Sequence, residues 1–293
     1  MKIIPLAFDS FGTRSMATFV ETQPCNILID PSVSLGPLRH GLTPHPIELK
    51  KMEEHWKTIK SYAEKAQILI ITHYHYDHHN PNEPEVYKNK ELFIKHPKEN
   101  INLSQTRRAA YFMNVIKGFP KSVEYADARE FNFGNTRIRF SKPVPHGTNT
   151  KLGYVTEVSI EEGNFKFVHT SDVEGPSLSD QSAFILEEDP DIVFCDGPMT
   201  YMLGYRYSQE ALRNSINNIN EIIQKTKVKK FVLDHHFLRD LNWEERIEAV
   251  FDTAQRCGVE ILTAAEFLGM ENDLLEAKRP MLYNKYPVTE TKR

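Results

Sequence analysis

The stretch that most limits how this chain can fold is an apolar run, Gln67-Ile68-Leu69-Ile70-Ile71, that leads directly into Thr72-His73-Tyr74-His75-Tyr76-Asp77-His78-His79. A short β-branched run without a polar break predicts a strand buried on both faces. Such a strand delivers three histidines and a carboxylate into the loop beyond its carboxyl end, where α/β sheets keep their chemistry. His73 and His75 are two residues apart, so on extended backbone they point the same way. Asp77 and His78 follow where the loop can turn them toward a neighbouring point. Imidazole nitrogens with a carboxylate suit zinc, iron or manganese better than calcium or magnesium.

Composition excludes more than it identifies. At 293 residues the chain is long enough for one large domain or two small ones. A net charge of −4 gives it no polycationic character, so nucleic acid is not indicated as a partner. Cys25, Cys195 and Cys257 are scattered and odd in number, which argues against a disulfide framework and fits a reducing, cytoplasmic setting. The first apolar run is too short for a signal peptide. Nothing later approaches the ~20 apolar residues of a membrane span. There are twelve histidines, half of them in two clusters, which is the compositional hint of metal.

Taken in order, the chain predicts strands over 3–8, 17–21 and 26–30, the last two joined across Thr22-Gln23-Pro24. A helix from Pro46 to about Lys65 carries the apolar stripe Met52, Trp56, Ile59 and Ala63, with His55 at its border as a structural residue. The Gly- and Pro-rich loop before it holds His40 and His45, read as surface histidines with extra metal ligands as the alternative. A short strand ends at His96, and a helix over 102–117 follows. Lys95, Lys98, Arg107, Arg108, Lys117 and Lys121 make this the most basic region. It is either a solvated face or a cover over the site that attracts an anionic substrate. Strands over 123–125, 130–133, 136–140, 153–160 and 165–170 come next, with Gly134-Asn135 and Glu161-Glu162-Gly163-Asn164 as hairpin turns. The remainder alternates helix from about 178, strand 191–195, helix 208–225, strand 229–233, helix 242–255, strand 259–262 and helix 263–268. The pattern is α+β: two sheets packed together with helices outside. No linker divides it, so one domain over 1–293 is expected, with a polar, loosely held tail over 273–293.

His-x-His-x-Asp-His after a buried strand resembles the signature of the metallo-β-lactamase superfamily, and the later motifs appear in that family's order. His146 stands in Pro143-Val144-Pro145-His146-Gly147, and Gly153-Tyr154 beyond it resembles the ribonuclease Z and phosphodiesterase branches. Asp172 ends Phe167-Val168-His169-Thr170-Ser171-Asp172, where the family more often has Gly at the place of Ser171; His169 reads as core or as a residue behind the site. Phe231-Val232-Leu233-Asp234-His235-His236 offers two candidates for the last ligand. Set against the ribonuclease Z pattern, His235 takes that place and Arg239 falls where that family has an arginine. Asp234 is a candidate partner for a ligand imidazole. Asp30, after the third strand, is either a turn former or a residue close to the metals.

The resemblance implies an αββα four-layer sandwich holding two divalent metal ions, zinc first, with iron or manganese as alternatives. His73, His75 and His146 would bind one, Asp77, His78 and His235 the other, and Asp172 would bridge. Two such metals lower the pKa of a shared water, giving a hydrolase. Asp77 would also orient the nucleophile or take its proton, and His236, if not a ligand, would stabilise charge or protonate the leaving group. The expected substrate is a small or medium anion, a phosphodiester or other phosphate compound. The segment between His146 and Asp172 is too short for the tRNA-gripping arm of ribonuclease Z. Carboxylic ester, thioester or lactone hydrolysis on the same metals is the second reading, and a non-catalytic metal-binding or redox protein the third. The nearest resemblance is to a largely archaeal group of predicted superfamily hydrolases without an assigned substrate.

Overall fold

A computed structural model describes residues 1–288. The first sheet opens with β1 (Lys2–Phe8), β2 (Met16–Glu21) and β3 (Asn26–Ile29), with β2 antiparallel to both of its neighbours. After α1 (Pro46–Lys65) the sheet turns parallel with β4 (Ile68–Ile71) and β5 (Glu91–Ile94), and after α2 (Leu103–Val115) with β6 (Ser122–Tyr125). All four residues of β4 are buried, as its unbroken apolar sequence requires of a central strand. α1 and α2 cover the outer face, where Ile59, Ala63 and Phe112 meet Leu69, Ile71 and Leu92. Pro46 occupies the first turn of α1, and His45 and Glu48 cap it reciprocally.

The second sheet is entered through the hairpin β7 (Glu130–Phe133) and β8 (Thr136–Phe140). β9 (Val144–Pro145) and β10 (Tyr154–Val155) pair only with each other. β11 (Val158–Glu162) and β12 (Phe165–His169) continue the antiparallel part. Then come α3 (Ser179–Glu188), β13 (Ile192–Asp196), α4 (Gln209–Lys225), β14 (Lys230–Asp234), α5 (Trp243–Arg246), α6 (Glu248–Cys257), β15 (Glu260–Leu262), α7 (Ala264–Phe267) and α8 (Arg279–Lys285). The spatial order is β15-β14-β13-β12-β11-β8-β7, with β12 to β15 parallel. Ile27, Ile70 and Phe93 of the first sheet interleave with Ile138, Phe167 and Phe194 of the second. The opposite face of the second sheet packs on α3, α4 and α6 through Val193, Leu233, Ile185, Ile219 and Val250. This is the expected αββα sandwich. No helix among the described residues is long and apolar enough to cross a membrane.

Three expectations are corrected. The strand over 153–160 is interrupted at Thr156, whose N–H and hydroxyl both donate to the Thr72 carbonyl and tie the second sheet to the loop after β4. The helix over 242–255 is broken at the fully buried Ile247 into α5 and α6. Residues beyond Asn272 are not a loose tail as far as the described chain extends. Leu274, Leu275 and Ala277 are buried, and Arg279, fully buried, donates through Nε and Nη2 to Glu48 of α1 at 2.8 to 3.1 Å. The apolar triplet and one arginine offset the polarity that makes the segment look solvated. The rest of that expected tail, 289–293, lies outside the described residues.

Candidate metal centre

The strand ends β3, β4, β12 and β14 converge on one edge of the sandwich, and each brings a titratable residue. His73 and His75 leave β4, Asp172 follows β12, His235 follows β14, and His146 follows β9. Two clusters result. One ligand atom from each of His73, His75, His146 and Asp172 lies within 4.8 Å of the others, and the same holds for Asp77, His78, Asp172 and His235. Asp172 belongs to both, and its oxygens divide between them. Oδ2 is 3.5 Å from His73 Nε2 and 3.2 Å from His146 Nε2. Oδ1 is 2.9 Å from His78 Nε2 and 3.5 Å from His235 Nε2. The other oxygen-bearing partner, Asp77, is 4.0 Å from His78 Nε2 and 3.8 Å from His235 Nε2.

In the first cluster His146 Nε2 is 3.1 Å from His75 Nδ1, while four of the other atoms are close to their neighbours without being hydrogen-bonded. Among the described residues, His73 Nε2, His78 Nε2, His235 Nε2 and Asp172 Oδ1 are all buried with no hydrogen-bond partner. Buried polar atoms are almost always paired, because an orphan forfeits its water without return. Four such atoms pointing at common centres, from a nitrogen and oxygen donor set, fit divalent metal ions. Burial works against charge on Asp172, but the imidazoles of His78, His235 and His73 hold its carboxyl well below the usual range. Burial is similarly outweighed at Asp77, which the His78 side chain helps bring down to about 2.

Behind the clusters stands a layer of residues that fixes the rings. Asp30 accepts from Thr72 N at 2.9 Å and Thr72 Oγ1 at 2.7 Å, and its Oδ2 is 2.8 Å from His78 Nδ1. Asp9 places Oδ2 2.8 Å from His235 Nδ1 and accepts from Arg239 Nε on Oδ1, also at 2.8 Å. Glu174 sets Oε1 3.4 Å from His146 Nδ1. Gly147 is at φ +75°, and a Cβ there would run into the Glu174 carboxylate. Ser171, where the family pattern favours Gly, does sit in the left-handed region at φ +56°. Its hydroxyl is 2.6 Å from Thr72 Oγ1 and 3.2 Å from His73 Nδ1, which gives the serine a task glycine could not perform.

Of the other sequence-predicted residues, His236 is outside both clusters. Its Nδ1 is 3.0 Å from Asp196 Oδ2, and its side chain lines a cleft of about 530 Å³ that opens above the centre. Asp234, expected to hold a ligand imidazole, instead accepts from the backbone N–H groups of Ser10, His235 and Ala264. Asp9 takes the imidazole, a partner that lies 226 positions away in sequence. Of the two readings of the basic region, a cover over the site holds for one residue alone. Of its six residues only Arg108 lines the cleft, while Lys95 is buried against Asp127 and Lys121 pairs with Glu91. The cleft draws its other arginines, Arg14, Arg206 and Arg239, from loops that no charge run marks. Arg239 is buried, and its Nη2 has no partner. His45 is buried at the start of α1 rather than on the surface, and His55 bonds Thr13. His96 Nδ1 accepts from two backbone N–H groups, and His169 reaches the Met16 carbonyl; neither His96 nor His169 joins the clusters, nor do His40 and His45.

No family model matches the chain. It is 54% identical to a UPF0282 protein of Korarchaeum cryptofilum, over 99% of this chain and 97% of that one. A UPF0282 protein of Metallosphaera sedula is 46% identical, over 97% and 93%. Among solved structures it is similar to the isothiocyanate hydrolase from Delia radicum gut bacteria, with TM-score 0.55 and 15% identity over 86% and 95% of the two chains. The metallo-beta-lactamase fold protein YhfI from Bacillus subtilis gives 0.52 and 13%, over 89% and 95%. Igni18, a metallo hydrolase from the hyperthermophilic archaeon Ignicoccus hospitalis, gives 0.51 and 15%, over 92% and 95%. Likeness at these identities establishes the fold, and identity along nearly the full length establishes kinship: this chain belongs to the UPF0282 family and has the metallo-β-lactamase fold.

Proposed function

We propose that this protein is a dinuclear metal-dependent hydrolase of phosphodiesters or other phosphate-containing substrates, zinc being the metal its donors suit best. The observation that carries the reading is Asp172, one buried carboxylate with an oxygen turned to each of two imidazole clusters. His73, His75 and His146 would hold one ion and Asp77, His78 and His235 the other, with Asp172 between. Two such ions, when bound, lower the pKa of a bound water toward neutrality and polarise the bond under attack.

The remaining work falls to this chain's own groups. Asp77, half-buried and facing the cleft, orients the attacking water. His236, steadied by Asp196, faces the cleft where a leaving group departs and stabilises the charge that develops there. Arg239 offers an unpaired Nη2 from a buried position, and Arg108 and Arg206 add charge to the wall of the cleft. That wall favours a phosphate over an uncharged ester.

Elemental analysis of the purified protein, with hydrolysis of bis(p-nitrophenyl) phosphate, p-nitrophenyl acetate and a lactone, tests this directly. About two metals per chain and diester turnover, lost in His146→Ala, are expected. Turnover of ester or lactone alone would replace phosphate by a carboxylic ester, and a protein unable to take up metal would overturn the assignment.

A further inference from the structure

A second cavity of about 550 Å³ lies beside the metal cleft and shares Ser34 and Tyr76 with it. Nothing in the reaction above uses it. Its walls are aromatic: Trp56 from α1, Tyr76 from the loop after β4, and Tyr111 from α2. Tyr76 is 46% and Tyr111 50% exposed, so two large rings stand open at a cavity mouth where burial would ordinarily claim them. Trp56 is fixed in its plane, because its Nε1–H donates to Glu83, whose other oxygen takes Lys60 at 2.9 Å. The Tyr76 backbone is held by the Ser32 hydroxyl at 2.6 Å, and the Arg108 guanidinium lies 4.8 Å from its ring centroid. Arg108 therefore touches the partition between the two cavities while also lining the metal cleft.

Polar groups complete the lining. His79 is buried, with Nδ1 2.9 Å from the His75 carbonyl and Nε2 without any partner. Asn82 and Glu53 lie at the same cavity. An aliphatic chain would satisfy the apolar walls but make no use of the amides of Asn80 and Asn82 in the lining. A second anion would meet Glu53 and Glu83. A flat ring with nitrogen and N–H groups on its edge satisfies both demands, by stacking on the aromatic faces and bonding at its rim.

We propose that this cavity is a subsite for a planar, nitrogen-bearing aromatic ring, such as a nucleobase, attached to the phosphate that the metal cleft receives. The proposal rests on the phosphate reading for the cleft and narrows its substrate to nucleotide-like compounds. Tyr76 is the partition across which ring and phosphate are joined.

Calorimetric titration of the metal-loaded protein with adenosine 5′-monophosphate, ribose 5-phosphate and n-hexyl phosphate tests it. The nucleotide is expected to bind about tenfold tighter than either other phosphate, the order one stacked base provides. Tyr111→Ala, a change at a half-exposed helix position, is expected to erase that preference while metal content by elemental analysis stays at the wild-type value. Trp56→Phe, which keeps a ring, retains most of it. Equal binding of nucleotide and ribose 5-phosphate, or tighter binding of hexyl phosphate, overturns the subsite and leaves the hydrolase reading standing. A nucleotide preference in a protein that holds no metal supports the subsite and overturns the hydrolase reading alone.

Discussion

The two imidazole clusters meet at one carboxylate but are held in different ways. In the cluster of Asp77, His78 and His235, both rings lean on a buried carboxylate at 2.8 Å, Asp30 for one and Asp9 for the other. In the cluster of His73, His75 and His146, His73 Nδ1 has only two hydroxyls at 3.2 Å. His146 has Glu174 at a looser 3.4 Å, and His75, at the cleft, has no carboxylate behind it but places Nδ1 3.1 Å from His146 Nε2. A carboxylate behind an imidazole fixes its orientation and raises its basicity toward a metal. The same fold thus builds one firmly braced centre and one lightly braced centre from nearly the same residue types.

The strongest way to break that comparison is to remove what the clusters share. Asp172→Asn keeps the shape of the side chain, and elemental analysis of a variant with an unchanged circular dichroism spectrum is expected to find both metals lost. Retention of one would mean that Asp172 serves a single centre. Next in size, Asp30→Asn is expected to weaken one of the two metals about 10- to 100-fold in a competition titration with a chromophoric chelator. Glu174→Gln should cost the other metal less than about tenfold. If the glutamate change proved the more damaging, the ranking of the centres would be reversed. In the wild type the same chelator should therefore strip the metals in two resolved steps.

The smallest effect comes from a buried carboxylate that has no imidazole at all. Both oxygens of Glu157 are buried without a partner, and burial pushes its carboxyl well above the usual range. The folded chain then keeps a proton that the unfolded chain releases near the ordinary value of about 4.3. Because the native state binds more protons, stability falls as pH rises from that value toward the folded pKa. The melting temperature at saturating metal is expected to decline as pH rises above about 5, and Glu157→Gln to flatten part of the decline, by at most about 1.4 kcal/mol per pH unit. A slope identical in the variant would mean that Glu157 is ionised when folded.

What was legible in the sequence is what lies close together in it. β4 announced itself by four apolar residues in a row, and the spacing of His73, His75, Asp77 and His78 placed them on one loop. The four-layer arrangement followed from the order of strands and helices. The bracing residues were not legible. Asp9 looks like any acidic residue after a strand, and only tertiary packing sets it against His235 and Arg239. Asp234 looked the better partner because it is adjacent, yet adjacency turned its carboxylate to backbone N–H groups. Charge density is a weak guide for the same reason: five of the six basic residues over 95–121 lie outside the cleft lining, while Arg14 and Arg206 reach the cleft from stretches with no basic excess. Leu274, Leu275 and Arg279 show that a mostly polar segment docks when a few of its residues find a buried place.

The contact between Asp9 and His235 also sets an order of events. The braced centre needs a residue from the first strand's end and one from the fourteenth strand's end, and Asp234 and Asp273 further tie that junction to Ser10. A chain emerging from the ribosome can present His73, His75 and His78 long before His235 exists. Contacts of such long sequence separation form late in folding, after their loop entropy has been met. Metal captured early would meet a half-made site, because the cluster of Asp77, His78, Asp172 and His235 is complete only once the end of β14 has packed against Asp9 and tied the two sheets together.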